Sequence, residues 1–154
     1  MNQDCDVCQF LEKKPLQNQV ITTKYWTVGV IHDQPYLGRA LITLLTHKSS
    51  LGKLSPEEWH DFEVIVQKLE PAYKAAFGAE PLNMGCFMNH GYRDDPPHPH
   101  VHWHIFPRYK NPVEFGGQVF DDQLYGSFYD DDLRRPVDSE LVAAITNELK
   151  SKLV

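Results

Sequence analysis

A chain of 154 residues with a formal net charge of −6 is long enough to bury a core as one domain, and it is too acidic for a general nucleic-acid binder, which is usually basic. Its apolar fraction of 42% and charged fraction of 23% are those of an ordinary globular fold, and no apolar run approaches the roughly 20 residues that cross a bilayer. The polar start Met1-Asn2-Gln3-Asp4-Cys5-Asp6 has no signal-peptide character, so a cytoplasmic chain with neither nucleic-acid nor membrane partners is expected.

The chain opens with Cys5-Asp6-Val7-Cys8. Three cysteines are an odd number, and without signs of secretion they argue for metal binding or free thiols over a disulfide framework. In a C-x-x-C, two thiolates can reach one tetrahedral zinc. A redox pair is the other reading, but it expects a strand before and a helix after, and this is the extreme N-terminus. The remaining ligands would come from His32, His47, His60, His90 or the histidine row described below.

Val20-Ile21 and Trp26-Thr27-Val28-Gly29-Val30-Ile31 are rich in β-branched and aromatic residues and predict two strands. Asp33-Gln34-Pro35-Tyr36-Leu37-Gly38 predicts a turn, and Ala40 to Leu45 a third strand, antiparallel to the second. Ser55-Pro56-Glu57-Glu58 is a helix start: Ser55 at the N-cap, Pro56 at the first helical position and Glu58 closing a capping box. Trp59, Phe62, Ile65, Val66 and Leu69 recur at helical spacing and predict a packing stripe. Pro71 predicts a kink or break near Leu69-Glu70, and Gly78 a helix end. Leu82 to Met88 reads as a buried strand with Cys86 as an inert core thiol. Asn89 to Pro97 reads as a loop.

His98-Pro99-His100-Val101-His102-Trp103-His104-Ile105-Phe106 places a histidine at every second position over four repeats. In an extended chain such side chains share one face, while Val101, Trp103 and Ile105 turn to the other and enter a core. Neutral imidazole is a nucleophile, a general acid or base and a metal ligand. A row of imidazoles on one strand is therefore a reactive surface. Beyond Tyr109, Phe115-Gly116-Gly117 predicts a flexible turn. The acidic and aromatic stretch from Asp121 to Asp132 reads first as a solvated loop, with a pocket cover or a subunit contact as alternatives. Asp138 or Ser139 caps a last helix whose buried stripe is Leu141, Val142, Ile145 and Leu149.

His100-Val101-His102-Trp103-His104-Ile105-Phe106 resembles the signature of the histidine triad (HIT) family, in which three histidines alternate with apolar residues. Pro107-Arg108-Tyr109, which follows, is also common there. The resemblance covers roughly residues 5–109. It implies an α+β HIT-like fold: about five mainly antiparallel strands, a long central helix and a C-terminal helix, in one domain spanning 1–154 with 110–154 as an extension. It further implies a nucleotidyl hydrolase or transferase that works through a covalent nucleotidyl-histidine on the middle histidine, His102, with His104 donating to the same phosphate. The substrate would be a phosphoramidate, a dinucleoside polyphosphate or an acyl-nucleotide.

The same resemblance assigns Asp33 to the ribose hydroxyls and Asn89 to the phosphate or sugar. It implies a structural zinc on Cys5, Cys8, His47 and His100, as in bacterial members with an N-terminal C-x-x-C, and a homodimer. One departure stands out. HIT hydrolases commonly carry Gly-Gln-Ser or Gly-Gln-Thr shortly before the first triad histidine; here the residues are Asp95-Pro96-Pro97. Arg93 and His98 are the nearby cationic side chains left to hold a nucleotide phosphate. Two rival functions share these residues. One is a zinc-dependent hydrolase with the metal on His98, His102, His104 and Asp94 or Asp95. The other is a nucleotide-binding module that does not turn over.

Overall fold

The computed structural model describes residues 2–13, 18–130 and 132–153. Five β-rich runs form one antiparallel sheet: β1 (Gln19–Thr22), β2 (Trp26–Val30), β3 (Ala40–Leu44), β4 (Leu82–Gly85) and β5 (His102–Pro107). Their spatial order is β1-β2-β3-β5-β4. The histidine strand β5 is thus inserted between β3 and β4, and it is hydrogen-bonded on both edges. A strand held on two sides has little freedom to shift its register, because a one-residue slip would turn Ile105 out to solvent.

Alternation along each strand gives the sheet two unlike faces. Trp26, Val28, Val30, Ala40, Ile42, Leu44 and Ile105 lie on the inner face and are buried. They pack under α2 (Pro56–Phe77) and α3 (Ser139–Lys152). Deleting such a side chain, as in Ile105→Ala, costs about 2–5 kcal/mol. The outer face carries Thr27, Gly29, Leu41, Thr43, His102 and His104, set side by side by the register pairs Thr27↔Thr43, Gly29↔Leu41, Leu41↔His104 and Thr43↔His102.

Helix α2 starts as its sequence dictates. The Ser55 side chain accepts from the Glu58 backbone, and the Glu58 carboxylate accepts from the Ser55 N–H at 2.7 Å. The expected break at Pro71 does not occur: the helix runs unbroken to Phe77. Proline removes the bond to the carbonyl four residues back, that of Gln67. Both Pro71 and Gln67 are exposed, so water can satisfy that carbonyl, while Leu69, Ala72, Tyr73 and Phe77 anchor the helix on the buried side. The apolar stripe is also narrower than its spacing predicts, since Trp59 is exposed and Val66 only half-buried.

Two other expectations change, and one element is new. The strand from Leu82 ends at Gly85 rather than Met88. The turn at Gly116-Gly117 is a tight hairpin between β6 (Val113–Phe115) and β7 (Gln118–Phe120), with φ of 56° and 73° at the two glycines. Two consecutive positive φ values are what a two-residue hairpin of this hand requires. An eight-residue helix, α1 (Asp6–Lys13), follows Cys5 and carries Cys8. Asp138 caps α3 through its side chain, which accepts from the Leu141 N–H at 2.8 Å.

Candidate active site and metal centre

The N-terminal cysteines reach the head of the histidine strand. Cys5 Sγ lies 3.6 Å and Cys8 Sγ 3.5 Å from His100 Nδ1, and Cys8 Sγ lies 3.5 Å from His47 Nδ1. One ligand atom from each of the four residues falls within 4.8 Å of all the others. Tetrahedral zinc with bonds of about 2.3 Å to sulfur and about 2.0 Å to nitrogen spaces its ligands ~3.5 Å apart. The second ring nitrogen of His100, Nε2, donates to the Leu44 carbonyl at 2.8 Å. That bond fixes the tautomer and points the Nδ1 lone pair at the cysteines, the usual outer-shell arrangement of a metal-ligating histidine. Burial pushes the His100 pKa down to about 4, and burial also lowers that of His47. Both imidazoles are therefore neutral, as metal ligands must be. Cys5, Cys8 and His100 are almost wholly buried, which suits a closed, structural shell of two thiolates and two imidazoles.

Two residues further along, His102 takes the opposite tautomer. Its Nδ1–H donates to the backbone carbonyl of His100 at 2.8 Å. The lone pair is then on Nε2. Burial, with a smaller contribution from the charge of His90, lowers the pKa of the ring and keeps that lone pair available at neutral pH. The His104 ring lies 5.0 Å from that of His102, so both can face one small group. Trp103 points the other way and packs on Phe62, with ring centroids 4.9 Å apart.

The remaining candidates are less closely assembled. Asp33 lies just past β2, on a turn built around buried Gln34, whose amide donates to the Ile31 and Arg39 carbonyls and accepts from the Gly38 N–H. Its carboxylate accepts from Arg39 Nη1 at 2.7 Å and from the backbone N–H of Arg135 at 2.7 Å. Asn89 begins an exposed 3-10 turn, Asn89–Tyr92. The backbone N–H of His98 donates to the Gly91 carbonyl at 2.8 Å, closing this loop. The His47 pKa is lowered by burial first and by the charge of His98 second. Among the described residues, His98, His102, His104, Asp94 and Asp95 do not gather into a metal-binding group; the residues that do are Cys5, Cys8, His47 and His100.

The structure gives Arg108 and Tyr129 tasks that the sequence did not assign. Arg108, 1% exposed, donates to both oxygens of Asp122 at 2.6 and 2.9 Å and to the carbonyls of Leu124 and Ser127. It pins the 121–130 segment, which is therefore anchored rather than a freely solvated loop. The segment brings Tyr129 onto Phe106, with centroids 4.0 Å apart and planes 11° from parallel. The available signal was Arg108 itself, a lone cation directly after the histidine strand.

A five-stranded antiparallel sheet backed by two helices, with alternating histidines on its open face, defines the histidine-triad class of α+β fold. The model of the HIT domain matches residues 14–111, more than half of the chain, and the chain belongs to the HIT family. Compared by sequence with curated proteins, the chain has no match. Among solved structures, it resembles a zinc-bound histidine triad family protein from Mycobacterium smegmatis at 18% identity and a TM-score of 0.64, covering 96% of this chain and 94% of that one. It resembles a hypothetical histidine triad nucleotide-binding protein from Sulfolobus tokodaii at 15% identity and a TM-score of 0.68, covering 96% and 91%. The diadenosine triphosphate hydrolase of Plasmodium falciparum matches at 22% identity and a TM-score of 0.60, covering 89% and 76%.

Proposed function

We propose that this chain is a nucleotidyl hydrolase or transferase in which Nε2 of His102 attacks the α-phosphorus of a nucleotide derivative. A P–N bond forms at His102. The bond from phosphorus to the leaving group breaks, and the leaving group takes its electron pair and a proton, for which His104 is the nearest proposed donor. Water then attacks the nucleotidyl-histidine, the P–N bond breaks, and a nucleoside monophosphate departs with the His102 ring restored. Splitting one hard displacement into two easier ones is the gain from a covalent intermediate. General acid assistance of the kind proposed for His104 is typically worth ~10²–10⁴ in rate.

The observation that carries this reading is the 2.8 Å bond from His102 Nδ1 to the His100 carbonyl. It leaves the second nitrogen with a lone pair and no proton. Nucleoside binding is assigned to the outer face beside the row, over Thr27, Gly29, Leu41 and Thr43; the recess between them holds only about 20 Å³, so a base would lie on this surface rather than inside a pocket. Asp33 is assigned to the ribose hydroxyls: each of its oxygens keeps a second lone pair beyond its bond to Arg39 or Arg135. Asn89 and His98 are assigned as donors to the phosphate.

Zinc is assigned to Cys5, Cys8, His47 and His100, as a clamp that holds α1 to the head of β5; it takes no part in the chemical step. No helix among the described residues is long and apolar enough to cross a membrane. A small nucleotide and a second copy of the chain are the proposed partners, the latter supported by the open edge that β4 gives the sheet. We take 1–154 to act as one cytoplasmic domain.

Incubation with an adenosine 5′-phosphoramidate should give an acid-labile AMP adduct, seen by mass spectrometry, that is absent from His102→Asn. An adduct of unchanged yield in that variant would remove His102 as the nucleophile. Saturable AMP binding with neither adduct nor product would favour a binding module.

A further inference from the structure

Two recesses flank the histidine row. The groove at Gly29, Leu41 and Thr43 lies on its β2–β3 side. On its β4 side is a second cleft of about 440 Å³, lined by Asn83, Met84, Phe87, Phe106, Phe128 and Tyr129 together with small residues. Its walls touch the row. Phe106 stacks parallel to His104, 10° from coplanar at 5.9 Å, and the Phe87 ring lies 5.8 Å from His104. Phe87 folds back over Gly85, the register partner of His104: a Cβ at position 85 would come within 2.4 Å of the Phe87 ring. Tyr129 covers Phe106, and Phe128 stands at the rim, 84% exposed.

We propose that this aromatic cleft is the leaving-group subsite, and that it takes an apolar, planar amine or acyl group. The inference rests on the nucleotidyl-histidine reading above and specifies its substrate. A nucleotide derivative has two arms on its α-phosphorus. With phosphorus at His102 and the nucleoside over the β2–β3 side, where Asp33 is assigned to the ribose, the cleft beside His104 is the roomy recess left for the other arm. There it meets rings. None of the described residues lining the cleft is charged, and Asn83 and Ser127 are the polar side chains among them apart from the Tyr129 hydroxyl. The Arg39 guanidinium lies 5.3 Å from the Phe106 ring, but it is already paired with Asp33 at 2.7 Å; a polyphosphate arm, with about one charge per phosphate, would have to compete for it, whereas a flat apolar group gains by stacking.

The test is binding to the His102→Asn protein, in which turnover is blocked. Two adenosine 5′-phosphoramidates are compared by calorimetry, one with an unsubstituted nitrogen and one carrying a benzylamine. The benzyl compound should bind about tenfold more tightly. That gain should vanish when Tyr129→Ala or Phe87→Ala is added, and it should survive Tyr129→Phe. Equal binding of the two compounds, a gain that survives both alanine variants, or no saturable binding of either compound would overturn the subsite. Failure of the nucleophile assignment reads differently: the wild-type protein would form no AMP adduct while the benzyl preference in binding persisted.

Discussion

The Nδ1 of His102 lies 2.8 Å from the backbone carbonyl oxygen of His100, so the proposed nucleophile hangs from the main chain of a proposed zinc ligand. The His100 side chain is in turn held at its far nitrogen by the Leu44 carbonyl on β3. Cluster, strand and nucleophile form one connected unit, in which a change at Cys8 can reach His102 without touching substrate.

Metal analysis should therefore find one zinc per chain, lost in Cys8→Ser. Zinc bound by such a set can carry on the order of 10–16 kcal/mol of apparent binding energy at neutral pH, so the variant should melt far below the wild type. Strong chelation should abolish activity in step with loss of folded structure. Activity lost while the melting temperature holds would make the metal catalytic instead.

Buried Arg108 grips both oxygens of Asp122 and two carbonyls of the following loop. Breaking a buried pair by removing one partner typically costs about 3–5 kcal/mol, because the other charge is left without compensation. Arg108→Ala should show that loss in urea unfolding, with raised hydrogen exchange over 122–130. Arg108→Lys keeps the charge but not the fork, and should recover only part of it.

The histidine row was legible because a period of two fixes which side chains share a face, whatever the rest of the fold does. The zinc cluster was half legible: C-x-x-C fixes two thiolates by local spacing, but His47 and His100 are brought to it only by the pairing of β3 with β5, and their choice over His32, His60 or His90 came from family resemblance. The continuous α2 was missed at Pro71 because the cost of a proline depends on whether the orphaned carbonyl faces water, which a linear pattern does not contain. The aromatic cleft was missed for a similar reason. Phe87, Phe106 and Tyr129 are remote in sequence: the pairing of β4 with β5 sets Phe87 near Phe106, and the grip of Arg108 on the loop adds Tyr129.

Gly38 is a point where substitution should be costly. Its φ is +82°, and an added Cβ would sit 2.9 Å from the Tyr73 ring, whose hydroxyl donates to the Gly38 carbonyl at 2.7 Å. Gly38→Ala meets both a strained backbone and a fixed ring, and should destabilise by more than 1 kcal/mol. Tyr73→Phe keeps the ring and removes the hydroxyl, leaving one buried acceptor without its partner. A loss of about 1–2 kcal/mol is expected. Thermal melts of both variants would rank the two effects.

Asp33 has a structural task in addition to its proposed ribose contact, and one substitution separates the two. Its carboxylate joins Arg39 to the backbone at Arg135, and so ties the turn after β2 to the segment leading into α3. Asp33→Asn keeps one oxygen acceptor and the shape but loses the charge, which should cost about 1.5–3 kcal/mol through the weakened Arg39 bond. The ribose role has its own signature. If the two adjacent hydroxyls donate to this carboxylate, the wild-type kcat/KM should favour a ribonucleotide over its 2′-deoxy analogue by about tenfold, and that ratio should fall toward one in Asp33→Asn. A variant that melts lower yet keeps the full ribose preference would leave Asp33 as a clamp alone and move sugar recognition elsewhere on the outer face of the sheet.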